Sequence, residues 1–228
     1  MISEDLLTDD IDAVVHPGLD TIAFPKAESA DQIRAVVARL EGLERARGLT
    51  PGYVRLSLAI ETPRGLLAAR EIAAASDRIA TMSVGVEDYC LELGVEPSAD
   101  GAELLYAVST IVTICKATGI QPTGLVGSIA GFREIALFEG AAQRARQLGC
   151  LGAGCIHPDQ VVVLNRVFSP DPAKVAYAER VVGAFEDGVR RPRLQARPRP
   201  PRARAVRGGD GTTEGERARA PHRVRPDP

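Results

Sequence analysis

Apolar positions along this chain switch repeatedly between two spacings, and the switching predicts the fold. Short apolar runs such as Leu56-Ser57-Leu58-Ala59-Ile60 and Ile79–Gly85 read as buried strands. Residues 20–26 predict a strand with its exit turn, 54–60 and 79–85 two more, 120–127 a weaker one, and Leu151–Ile156 a fifth broken by glycines. Between them, apolar residues recur at helical spacing over 29–41, 64–75, 103–117 and 133–148, with further helices over 160–167 and 171–188. Ser29 stands as an N-cap, Gly119 as a C′ glycine, and Ser169-Pro170-Asp171-Pro172 as a helix entry.

Strands alternating with helices imply βαβ units and a parallel sheet. The unit length suits a (β/α)8 barrel or a doubly wound sheet. Five strands fall short of a complete barrel, which takes about 250 residues. Composition explains where the pattern stops. After Val189 the chain becomes an Arg/Pro run without periodicity or aromatic residues, which cannot bury enough apolar surface to order itself. The expected organisation is therefore a domain over 1–188 and a disordered tail over 189–228. The first carries 16 Lys and Arg against 26 Asp and Glu, the second 12 Arg against 4 acidic residues. A basic tail suits nucleic acid, yet no aromatic side chains are interleaved for base stacking, so nucleic-acid binding is not expected. No apolar run is long enough to span a membrane, and the acidic N-terminus lacks a signal pattern. Cys90, Cys115, Cys150 and Cys155 lack redox or zinc spacing, and read as reduced thiols of a cytoplasmic protein.

The chemistry concentrates in two acidic residues, Glu61 and Asp88, each closing an apolar run. Strand C-termini carry the chemistry of α/β barrels, so two carboxylates on successive strands can converge on one hard cation, Mg²⁺. Each candidate has a structural competitor. Glu61 could cap the helix beginning at Pro63, and Lys26 could pair with a neighbouring acid or meet an anionic ligand. Arg64 reads as a structural ion-pair partner, Glu87 as a loop-orienting group, and His157 as structural or cofactor-adjacent, with general acid–base work as its alternative.

Five segments occur in order: Pro25-Lys26; Ile60-Glu61-Thr62; Gly85-Val86-Glu87-Asp88; Gly149 through Ile156-His157-Pro158-Asp159-Gln160; and Phe168-Ser169-Pro170. Together they resemble the citrate lyase β-subunit/HpcH–HpaI aldolase family, in its acyl-CoA lyase branch, over residues 5–188. The resemblance implies a TIM-like barrel that cleaves or forms a carbon–carbon bond beside a thioester of a hydroxy-dicarboxylic acid, such as citramalyl-CoA, malyl-CoA or citryl-CoA. It also implies Mg²⁺ held by Glu61 and Asp88, and substrate contacts at Glu61, Gly85, Val86 and Glu87. Its partners would be a CoA thioester or small carboxylic acid and further copies of the chain, with no membrane.

Two departures from the family pattern shape the expectation. An acidic Asp-Leu-Glu-Asp-type motif and a strand ending in an arginine, which precede the third barrel strand in family members, have no counterpart in this sequence. No catalytic group is therefore assigned. The fold class expected is α/β, a partial TIM-like (β/α)8 barrel lacking its first strands, with a disordered tail. The alternative function is a metal- or ligand-binding pseudoenzyme without turnover.

Overall fold

The structure, a computed structural model, describes residues 4–190. The expectation of a disordered tail over 189–228 falls, beyond Arg190, outside the described residues. Helix α1 (Glu4–Val14) is followed by β1 (Thr21–Phe24), α2 (Ala30–Ala46), β2 (Arg55–Ile60), α3 (Pro63–Leu67), α4 (Ala69–Ala73) and β3 (Ile79–Val84). Then come α5 (Val86–Leu93), α6 (Leu105–Thr118), β4 (Gln121–Pro122), α7 (Ile135–Leu148), α8 (Pro158–Phe168) and α9 (Pro172–Arg190). Contacts divide the chain after Lys174, so α9 begins in the first unit and forms the described part of the second. No helix among the described residues is long and apolar enough to cross a membrane.

The fold is α/β. The four strands form one parallel sheet in the order β1-β2-β3-β4, with Phe24 opposite Leu58, Ile60 opposite Val84 and Met82 opposite Pro122. Consecutive parallel neighbours joined through helices are the arrangement of a (β/α) barrel wall. Alternation along the strands decides which side faces the helices. Leu56, Leu58 and Ile60 of β2 and Met82 and Val84 of β3 are buried in the main core with Ile33, Leu40, Ile72 and Ile111. The opposite face carries small and polar residues: Thr81 donates its hydroxyl to Ser57 Oγ at 2.6 Å, and Ser83 to the Leu58 carbonyl at 3.4 Å.

Local sequence chemistry sets the helix starts. Ser29 and Gln32 close a reciprocal capping box at α2, the Ser29 hydroxyl accepting from the Gln32 amide at 3.2 Å. Thr62 caps α3 by accepting from the Gly65 amide at 3.0 Å, with Pro63 in the first turn. The cap at this point is thus Thr62 and not Glu61.

Several elements differ from expectation: the strand expected over 120–127 is reduced to Gln121–Pro122, and the helix expected over 64–75 is divided into α3 and α4. The expected strand over Leu151–Ile156 does not form. Leu151 donates its amide to the Pro122 carbonyl, and Gly152 accepts from the Gly124 amide, but the glycines carry the chain no further alongside β4. Conversely, the apolar run beginning at Ile79 stops as strand at Val84, and Val86–Leu93 turns into α5, ended by Gly94 in the left-handed region at φ 72°. Asp88 therefore lies in the first turn of a helix, where acidic residues are favoured.

At the N-terminal ends of the strands, a buried ion pair locks α2 to the sheet. Glu44, fully buried, takes both Arg78 guanidinium nitrogens at 2.7 Å and the amides of Gly52 and Val54 at 2.9 Å. Arg78 also donates to the Val54 carbonyl. The Arg78 guanidinium and these amides hold the Glu44 carboxyl down at about 2.

Candidate active site

Three groups meet where β1, β2 and β3 end. One residue past β2, Glu61 continues on the side of Ser57 and Ala59, away from the packed helices. Its Oε2 accepts from the Lys26 amide at 3.1 Å. The Lys26 ammonium in turn sits 3.2 Å from Asp88 Oδ1. Lys26 thus joins two carboxylates that are 27 positions apart in sequence, one through its backbone and one through its side chain.

Lys26 pays for this position with a φ of 48°, alone among the described non-glycine residues in being positive. A left-handed conformation costs an L-residue about 1 kcal/mol. The neighbouring Ala27 amide, bonded to the Ala59 carbonyl at 3.1 Å, clamps the turn. Strain of this kind collects at functional sites.

Electrostatics mark the same place. Burial, and then the Asp88 charge, push the Glu61 carboxyl up, against the opposing pull of the Lys26 amide and ammonium. The hydrogen bond to Asp88 holds the Lys26 ammonium above its ordinary value. A half-buried carboxylate with a second carboxylate charge beside it favours a cation that settles between the two.

Gly85 makes room for the arrangement. A Cβ there would lie 2.4 Å from Glu61 Cγ and 2.7 Å from Oε1, so the Glu61 side chain occupies the space a larger residue would fill. The Gly85 amide donates to the Ile60 carbonyl at 2.9 Å and is committed to the sheet edge. Val86 and Glu87 open the first turn of α5, where helical geometry supplies their amides with no carbonyl partner. The Glu87 side chain turns away to the following loop, its Oε1 accepting from Ser128 Oγ at 2.6 Å and the Ile129 amide at 3.1 Å.

That loop is anchored from its other side by Gln160, fully buried, which donates to the Ile129 carbonyl and accepts from the amides of Ile156 and His157. His157 caps α8 by accepting from the Asp159 amide on Nδ1, and its ring stacks on Phe132 with centroids 5.1 Å apart. Arg64, expected to pair structurally, is exposed and forms no ion pair among the described residues. Ser128 and the tie from Gln160 to Ile129 have no local sequence signal, because those partners lie 41 and 31 residues away, whereas the capping box of Gln160 with His157 is local.

Among the described residues, no group of three or more His, Cys, Asp and Glu gathers as a metal cluster. Two carboxylates leave most of a coordination sphere to water and substrate, which suits Mg²⁺, an ion that keeps several waters. The donors present therefore fit that ion.

The family model for HpcH/HpaI aldolase/citrate lyase matches residues 1–158. The chain belongs to this family. Within the HpcH/HpaI aldolase/citrate lyase family, the citrate lyase subunit beta of Escherichia coli strain K12 is 36% identical over 181 residues, covering 79% of this chain and 59% of that protein. The L-malyl-CoA/beta-methylmalyl-CoA lyase of Cereibacter sphaeroides strain ATCC 17025 is 34% identical over 185 residues, covering 74% of this chain and 57% of that protein. The chain thus spans a little under three fifths of the length of these two relatives. Among solved structures, RipC from Yersinia pestis superposes with a TM-score of 0.63 at 25% identity, covering 77% of this chain and 76% of that one. Protein CitE from Mycobacterium tuberculosis, in complex with magnesium, acetoacetate and coenzyme A, gives 0.59 at 27% identity over 82% of this chain and 64% of that one.

Proposed function

We propose that this chain is a Mg²⁺-dependent carbon–carbon lyase of its family, cleaving or forming a hydroxy-dicarboxylic acyl-CoA such as citramalyl-CoA, malyl-CoA or citryl-CoA. The observation that carries this reading is the convergence of Glu61 and Asp88 on one residue at the strand ends, Glu61 on the Lys26 amide and Asp88 on its ammonium. Support comes from the family match and from the ligands of the CitE structure.

Glu61 and Asp88 would hold the ion, which when bound stabilises negative charge developing on oxygen during carbon–carbon cleavage. Glu61, set at the sheet face, also lines the substrate position. Val86 and Glu87, opening α5, offer backbone N–H groups to a substrate carboxylate, and the absence of a side chain at Gly85 keeps Glu61 close to them. The Glu87 side chain holds the loop through Ser128 and Ile129 beside them. The working protein is read as a cytoplasmic homo-oligomer whose other partner is the CoA thioester.

The direct test follows cleavage of citramalyl-CoA and malyl-CoA by thioester absorbance, with and without Mg²⁺. Turnover should require Mg²⁺ and fall at least ~100-fold in Glu61→Ala and Asp88→Ala. Undiminished turnover in either variant would remove the proposed site. Mg²⁺ binding without turnover by the unmodified chain would instead indicate the non-catalytic, ligand-binding alternative.

A further inference from the structure

We propose that Lys26 is the resident counter-cation of the metal-free site: its ammonium occupies Asp88 until a divalent ion displaces it. The inference rests on the reading of Glu61 and Asp88 as metal ligands, and extends it to a residue outside the ligand set.

The geometry separates two tasks within one residue. The Lys26 amide fixes Glu61 through Oε2, independently of what the side chain is doing. Among the described residues the ammonium's ion pair is with Asp88, at 3.2 Å, with Glu61 and Glu92 attracting it from farther away, and both side chains of that pair are close to half exposed. An exposed pair of this kind is weak and readily exchanged. The anchoring of Glu61 is thus permanent, whereas the neutralisation of Asp88 is reversible. The positive φ of Lys26 directs amide and ammonium into the same small region.

The alternative arrangement for an empty site is two carboxylates facing each other without compensation, which would drive them apart. With Lys26 present both carboxylates stay gathered at the strand ends. The cost is competition: a cation arriving at Asp88 must take over its oxygen and tolerate the ammonium nearby. Removing the side-chain charge should therefore tighten metal binding, although Lys26 offers the metal no ligand.

Mn²⁺, which reports its own binding through the loss of its free-ion electron paramagnetic resonance signal, is the probe. Titrations compare the full 228-residue chain with Lys26→Met, Lys26→Arg, Glu61→Gln and Asp88→Asn. At low salt, Lys26→Met should bind Mn²⁺ roughly fivefold more tightly than the unmodified chain, while Lys26→Arg stays near it. Near ~1 M salt the difference should vanish, since exposed charges are then screened. Added Mn²⁺ should also raise the unfolding temperature of Lys26→Met more than that of the unmodified chain. Equal or weaker Mn²⁺ binding by Lys26→Met, with binding by the unmodified chain intact, overturns the role of Lys26 and leaves the metal site standing. Absence of binding in both, or binding that survives Glu61→Gln and Asp88→Asn, overturns the metal reading and this inference with it. If Lys26→Met fails to fold, Lys26→Gln, which retains a polar side chain without the charge, gives the same comparison.

Discussion

Gly85 shows how one missing side chain can organise a site. Its φ of −82° is open to any residue, so backbone freedom does not account for it. The Glu61 side chain does, because it lies across the place a Cβ would take. Gly85→Ala should thus fold and yet displace Glu61 from the Lys26 amide. We expect a loss of about 10-fold in Mn²⁺ or Mg²⁺ affinity, measurable by calorimetry, with circular dichroism unchanged. Retained affinity would mean that Glu61 has another productive position. The family resemblance implies a substrate contact at Gly85; the group that crowds it is a residue of the chain itself, 24 positions earlier.

At the scale of elements, the join between α2, β2 and β3 depends on Glu44 and Arg78. The Glu44 carboxyl drops from its ordinary 4.5 to about 2 on folding, so it stabilises the folded chain above pH 4.5 and loses that contribution as pH falls toward 2. The shift corresponds to roughly 3 kcal/mol at neutral pH. Glu44→Gln leaves the Arg78 charge buried without its partner and should cost ~3–5 kcal/mol in urea unfolding at pH 7. The penalty should shrink as the pH is lowered through 4 to 2, and a pH-independent penalty would show that the pair is not the cause. The strands on either side of this join were legible, since Leu56–Ile60 and Ile79–Val84 are short apolar runs, each entered from an arginine. Helix α5 was not, because Val86 continues the apolar run of β3 and no side-chain cap announces the change. The segment after Gly149 was misread for the opposite reason: its composition permits a strand, but its partner β4 is only two residues long. The pairing of Lys26 with Asp88, and the tie from Glu87 to Ser128 and on through Ile129 to Gln160, arise from the three-dimensional path alone.

Across the whole molecule, the outer helices leave large apolar side chains in water. Leu67, Leu91 and Tyr106 are 80%, 74% and 70% exposed, on α3, α5 and α6, and α3 packs against both others. Large exposed apolar groups on helices that pack together suit an interface between copies. Sedimentation at micromolar concentration should show an oligomer that Leu91→Asp shifts toward monomer, whereas a monomeric unmodified chain would dismiss self-association. The family and the parallel α/β sheet were both visible in the order of motifs, while the way charges are shared between the two ends of the sheet was not. Glu44 and Arg78 neutralise each other before the strands begin, and Glu61, Lys26 and Asp88 assemble after they end. The chain can therefore drift in one property without paying in the other. Substitutions at the strand exits should leave the acid-unfolding midpoint where it was, which gives this scaffold room to vary one end of its sheet without loosening the other.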